Sequence, residues 1–199
     1  MLLPKHSLRL FVLVLFIGML YLPITSRAQV ADTANTVTHR FIFIGDAGKL
    51  INGKNIVSDA VAAYVDKTDS ATTIMFLGDN IYEKGLPDKE DNDYAEYVEV
   101  LSKQLLPFES HAATVYMIPG NHDWQKSGPE GWERVKRQAA WVDSLNKDNI
   151  IFLPKGGCPG PEEISINDSL VLVILDTQWW LHPFEKPGMD DDCNYKTED

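Results

Sequence analysis

Only two of the 199 residues are cysteines, Cys158 and Cys193. Without a Cys-x-x-Cys pair they make poor zinc ligands, and in an exported chain the better reading is one disulfide staple. Basic residues are also scarce: 18 Lys and Arg stand against 29 Asp and Glu, a net charge of −11. That balance argues against nucleic acid or anionic lipid as the main partner. It does not forbid a phosphate substrate, because a bound metal cation reverses the local field. A long apolar span is missing too. Leu10 to Leu22 is uncharged and apolar, but it is shorter than the ~20 residues that a membrane-crossing helix needs. Lys5 and Arg9 precede it and Ser26-Arg27-Ala28 follows. The whole reads as a secretory signal peptide over residues 1–28, cleaved after Ala28. Cleavage removes three bases and no acid, which takes the net charge from −11 to −14. The expected destination is the periplasm, cell envelope or extracellular space.

After a polar lead-in at residues 29–39, one domain is expected over 40–199, long enough for a real core. Short apolar runs alternate there with helical patterns. Phe41–Ile44, Ile74–Leu77 and Val115–Pro119 read as buried strands, being short and rich in Ile, Val and Phe. Asn55–Thr68, Tyr94–Leu106 and Trp132–Leu145 carry apolar residues at helical spacing. This is the βαβ pattern of a parallel sheet with right-handed crossovers. From Ile150 the character changes. Ile151–Leu153, Glu163–Ile166 and Leu170–Leu175 are strands with little helix between them, and Asn167-Asp168 makes a hairpin turn. A second, partly antiparallel sheet is predicted there. Trp179 and Trp180 could not both face one way on a strand.

Each of the first three strands is closed by a polar turn: Gly45-Asp46-Ala47-Gly48, Gly78-Asp79-Asn80-Ile81-Tyr82, and Gly120-Asn121-His122-Asp123. Ligands of open α/β sheets gather beyond the carboxyl ends of parallel strands. Three adjacent strands therefore deliver Asp46, Asp79, Asn121 and His122 to one crevice. Hard oxygen donors with an imidazole suit metal-assisted hydrolysis. The first motif alone is ordinary turn chemistry; an amide, an imidazole and a carboxylate in succession are not. Gly48 to Asn55 nearly matches the phosphate-cradling G-x-x-x-x-G-K-[ST] loop. It fails at Asn55, where a hydroxyl should bind Mg²⁺. His39, His111 and His182 stand in no such motif and read as structural or surface histidines.

The order D-x-G, G-D-x-x-Y, G-N-H-D resembles the calcineurin-like metallophosphoesterases, and Tyr82 with Gly48 and Gly85 makes it most like the purple acid phosphatase branch. The resemblance covers Phe41 to Thr177. It implies a four-layer α/β/β/α sandwich and two metal ions, Fe(III) plus a divalent Fe, Zn or Mn. Asp46 and a Tyr82 phenolate would bind the first ion, Asp79 would bridge both, and Asn121 would bind the second. Metal-bound water would be the nucleophile. His122 would bind phosphate or protonate the leaving oxygen, with Asp123 orienting its imidazole. The substrate would be a phosphorylated small molecule or phosphoprotein, hydrolysed as a monoester.

The resemblance also implies V-x-x-H and G-H-x-H motifs that complete both coordination spheres, and neither occurs here. The expectation is a sandwich truncated in its second half, the amino-terminal part of a longer polypeptide with envelope association possible beyond Asp199, and a fragment that is inactive alone. The rival is a metallophosphoesterase fold without catalysis, serving as a binding or scaffold domain of the cell envelope.

Overall fold

The computed structural model describes residues 37–187 and Cys193. The expected signal peptide and most of the acidic tail lie outside these residues. Strands β1 (Arg40–Ile44), β2 (Thr72–Leu77), β3 (Thr114–Ile118) and β4 (Ile150–Phe152) form one parallel sheet in chain order. Helices α1 (Ile56–Tyr64), α2 (Tyr94–Leu105) and α3 (Gly131–Ser144) are the crossovers. Strands β5 (Glu162–Asn167) and β6 (Leu170–Ile174) pair as a separate antiparallel hairpin. This is the α/β architecture expected.

Strand alternation decides which layer each side chain joins. Ile44, Ile74, Phe76, Val115, Met117, Ile150 and Phe152 enter the core shared with Leu101, Leu105, Val135 and Val142 of the helical layer. The neighbouring residues Met75 and Tyr116 point the other way and meet Ile174 of the hairpin, with Ile164 and Leu172 packed alongside. Helices, parallel sheet and hairpin are thus three layers of the expected four.

Helix α1 stops at Tyr64, four residues before the expected end. Val65 turns extended and buries its side chain, and Asp66 accepts from the N–H and hydroxyl of Thr68, local bonds that compete with a helix. Its apolar stripe is also less buried than its spacing suggests: Ile56, Val57 and Tyr64 face solvent. Asn55, the residue that breaks the phosphate-loop pattern, is buried and caps α1. Its Oδ1 accepts from the N–H of Ser58 at 3.1 Å and its Nδ2 donates to the carbonyl of Ala47 at 2.8 Å. Trp179 and Trp180 sit on a short helix, α4 (Gln178–Leu181), not on a strand. Trp179 is partly buried and Trp180 exposed. Cys158 and Cys193 form the expected disulfide. Among the described residues no helix is long and apolar enough to cross a membrane.

A buried link joins the hairpin to the loop after β3. The fully buried Trp124 donates its indole N–H to Asp176 Oδ2 at 2.7 Å, while Asp176 Oδ1 accepts from the N–H of Gln178 at 3.0 Å. His182 lies against Trp124 with ring centres 4.8 Å apart and is buried, a structural histidine. Burial outweighs these donors and pushes the Asp176 carboxyl from 3.8 up to about 7. The native state then keeps a proton that the unfolded chain releases. Stability without added metal is therefore expected to fall as pH rises from about 4 to about 7. Urea unfolding midpoints across that window should show the slope, and Asp176→Asn should reduce it; an unchanged slope in the variant would remove Asp176 as its source.

Candidate metal centre

The register of the parallel sheet sets the ends of β1, β2 and β3 side by side, with Ile44 beside Phe76 and Leu77 beside Ile118. The next residues form the site. Asp46 and Asp79 both adopt left-handed backbone conformations, with φ of 55° and 54°. Such values are uncommon outside glycine but tolerated by Asp. They let the chain turn sharply off each strand while the Asp46 N–H donates to the Gly78 carbonyl at 3.3 Å and the Gly48 N–H to the Asp79 carbonyl at 3.0 Å. Two glycines permit the approach. A Cβ on Gly48 would lie 2.6 Å from the Asp79 carbonyl oxygen, and one on Gly120 would lie 2.5 Å from Asp79 Oδ1.

Asp46, Asp79 and Asn121 line one cleft of about 260 Å³. The Tyr82 hydroxyl stands between the two carboxylates, donating to Asp46 Oδ1 at 2.6 Å with Asp79 Oδ2 at 3.3 Å. Asp79 Oδ1 accepts the backbone N–H of His122 at 3.0 Å, which fixes the rotation of that carboxylate. Burial, then the hydrogen bond to Asp46 and the charge of Asp79, push the Tyr82 pKa well above its ordinary value. The phenol keeps its proton in this arrangement; a bound cation would reverse that preference. Among the described residues no three His, Cys, Asp or Glu side chains gather as a metal site. The donors that do converge are two carboxylates and a phenol, with an amide on the same cleft. That hard oxygen set fits highly charged metal ions.

His122 and Asp123 part company. The imidazole packs edge-on to the Tyr82 ring, centres 4.3 Å apart, and its Nδ1 lies 2.8 Å from the Glu83 carbonyl oxygen. A carbonyl only accepts, so Nδ1 carries the hydrogen. Nε2 is then the nitrogen left for chemistry. Asp123 therefore does not orient this ring, contrary to expectation. Its carboxylate is fully buried and accepts backbone N–H groups from Gly120 at 2.7 Å, Asn80 at 3.1 Å and Ile81 at 3.2 Å. It staples the second motif to the third. Burial pushes its pKa up to about 7 against the opposing effect of these donors. Two further histidines among the described residues make structural contacts: His39 reaches the Thr73 hydroxyl, and the buried His111 reaches the Ala62 carbonyl.

Sequence reasoning missed Glu83, whose contribution is a main-chain carbonyl and so leaves no side-chain signal. It also missed Asp176, although a carboxylate closing an apolar strand is a readable sign.

The sequence profile of the calcineurin-like phosphoesterases matches residues 39–187. The tartrate-resistant acid phosphatase type 5 of Mus musculus is 30% identical over 119 residues, 57% of this chain and 34% of that protein. The match thus spans about a third of the relative's length. No solved structure matches the chain. With the family profile covering Asp46, Asp79, Tyr82, Asn121 and His122 together, the chain belongs to the calcineurin-like phosphoesterase family.

Proposed function

We propose that the protein is an exported phosphoesterase that hydrolyses phosphate monoesters at a two-metal centre. The observation that carries this reading is the Tyr82 hydroxyl held between the Asp46 and Asp79 carboxylates, on a cleft shared with Asn121. Family membership supports phosphoester chemistry, and the name of the mouse relative supports a monoester phosphatase.

Asp46 and Tyr82 would hold Fe(III), Asp79 would be shared, and the neutral Asn121 suits a divalent Fe, Zn or Mn ion. When bound, the ions supply Lewis-acid charge at the phosphoryl oxygens and a water of lowered pKa. The chain's own groups do the remainder. The His122 N–H holds Asp79 Oδ1 in place, so the shared carboxylate keeps one orientation. The Glu83 carbonyl holds the imidazole by Nδ1 and leaves Nε2 to pass a proton to the leaving oxygen as the P–O bond breaks. A positioned acid of this kind contributes ~10²–10⁴-fold.

Two measurements test this. The complete polypeptide, loaded with metal, should hydrolyse an aryl phosphate, and Asp79→Asn or His122→Ala should lower kcat/KM at least about 10²-fold. A complete, metal-loaded polypeptide without activity would favour the scaffold reading. Iron-loaded protein should show a tyrosinate-to-Fe(III) band in the visible that Tyr82→Phe abolishes; a band that survives would take Tyr82 off the ligand list.

A further inference from the structure

A second pocket, of about 600 Å³, has Tyr82 and His122 in its wall. The Tyr82 hydroxyl reaches the Asp46 and Asp79 carboxylates of the metal cleft, so the pocket adjoins the place where a phosphate would be held. Leu50, Tyr97 and Val100 give this pocket an apolar lining, and its cations are Lys49 and Lys126. In a chain with 29 acidic residues against 18 basic ones, two lysines beside the imidazole stand against the prevailing charge.

The way Lys126 is held is unusual. Gln125, Lys126 and Ser127 are three successive non-glycine residues with left-handed φ of 55°, 52° and 60°. Each such residue is conformationally strained, and strain of this kind persists where the surrounding structure enforces it, often at functional sites. Here the Gln125 N–H donates to the His122 carbonyl at 3.0 Å and the Lys126 N–H to the Asn121 carbonyl at 2.7 Å. The turn is therefore anchored on the two motif residues themselves, and it delivers the ammonium to the pocket beside His122. Lys49 comes from the other side, next to Gly48 in the loop that only resembles a phosphate cradle.

The acids of the pocket have other occupations. Glu96 lies in the first turn of α2, where the helix dipole favours a negative charge. Glu83 meets Lys126 at 3.4 Å, a long pair between side chains that are 75% and 48% exposed. A pair so exposed is worth little, and Lys126 can leave it for a ligand.

We propose that this pocket is a leaving-group subsite in which Lys126 and Lys49 select phosphate esters whose leaving group has an apolar body and its own anionic tip. The anion is a carboxylate or a second phosphoryl group. This proposal rests on the phosphatase reading. Hydrolysis of each ester forms a P–O bond to water and breaks the bond to the leaving oxygen, which takes its proton from His122, releasing phosphate and the alcohol or phenol.

The test compares para-nitrophenyl phosphate, para-carboxyphenyl phosphate and para-phenylene bisphosphate in the complete, metal-loaded wild-type polypeptide and in its Lys126→Met and Lys49→Met variants. For each ester the ratio of kcat/KM between wild type and variant cancels the ester's intrinsic reactivity. The ratio should be larger by about threefold per lysine for the anionic esters than for the nitrophenyl ester. The difference should fade in salt of about 1 M, where the screening length is ~3 Å. A larger ratio for one anionic ester tells carboxylate from phosphoryl selection. Equal ratios for all three esters overturn the proposal while leaving the phosphatase reading intact. If no ester is hydrolysed, the phosphatase reading fails, and binding then decides the subsite. By saturation-transfer NMR, para-hydroxybenzoate should bind wild type better than phenol does, and Lys126→Met should abolish that preference; equal binding of the two overturns the subsite as well.

Discussion

A single buried carboxylate ties the two loops of the site together. Asp123 draws N–H groups from Gly120 in its own loop and from Asn80 and Ile81 in the loop after β2. Those donors would otherwise be orphaned at strand ends, where the sheet no longer pairs them. Removing a charge acceptor from so many buried donors would leave each unsatisfied, a far larger loss than one surface hydrogen bond. The cleft depends on this because Asp79 sits immediately before one stapled residue, and Asn121 and His122 lie between Gly120 and Asp123.

The staple works only because the chain offers no side chains at the point of contact. Gly78 packs so closely on Gly120 that a Cβ on the former would lie 2.7 Å from the Cα of the latter. Gly78 also has a φ of 98°, which L side chains rarely adopt. Parallel register brings the strand ends level, the glycines let the loops touch, and the Asp123 carboxylate locks them. At the top Asp46 remains exposed and Asp79 is half-buried. A dense anionic pair held this rigidly is costly without a counter-charge, and among the described residues the Tyr82 hydroxyl is the one side-chain donor to Asp46 and Asp79.

Much of this was legible in the chain before folding. A strand buried on both faces announces itself by an apolar run, as Ile74–Leu77 does, while the buried Thr72 and Thr73 that begin the same strand give no such sign. The turn motifs named the side chains of the cleft because Asp46, Asp79 and Asn121 each come within about three residues of a strand end. The failures share a cause. The resemblance implies that Asp123 orients His122, but successive residues of a turn point in different directions, and Asp123 turns inward to the N–H groups of Gly120, Asn80 and Ile81. Glu83 acts through its main chain, which no residue type encodes. In α1 the 3.6-residue period was real, yet periodicity cannot reveal that little of the structure lies over Ile56 and Val57. Trp179 and Trp180 followed a strand and so were weighed as strand residues, whereas a single helical turn gives the two rings an edge-on contact 5.2 Å apart.

The disulfide between Cys158 and Cys193 spans 35 residues, and within that interval lie β5, β6 and α4. Oxidised, these elements form a covalent ring hanging from the end of the parallel sheet. A ring of this size removes unfolded-state entropy equivalent to about 4 kcal/mol in the chain-entropy treatment. Asp176, the partner of Trp124, is carried on the same ring. Closing the ring narrows the conformations that Asp176 samples whenever the hairpin leaves the sheet. Through the bond from Trp124 to Asp176, the crosslink bears on the loop that carries Asn121 and His122.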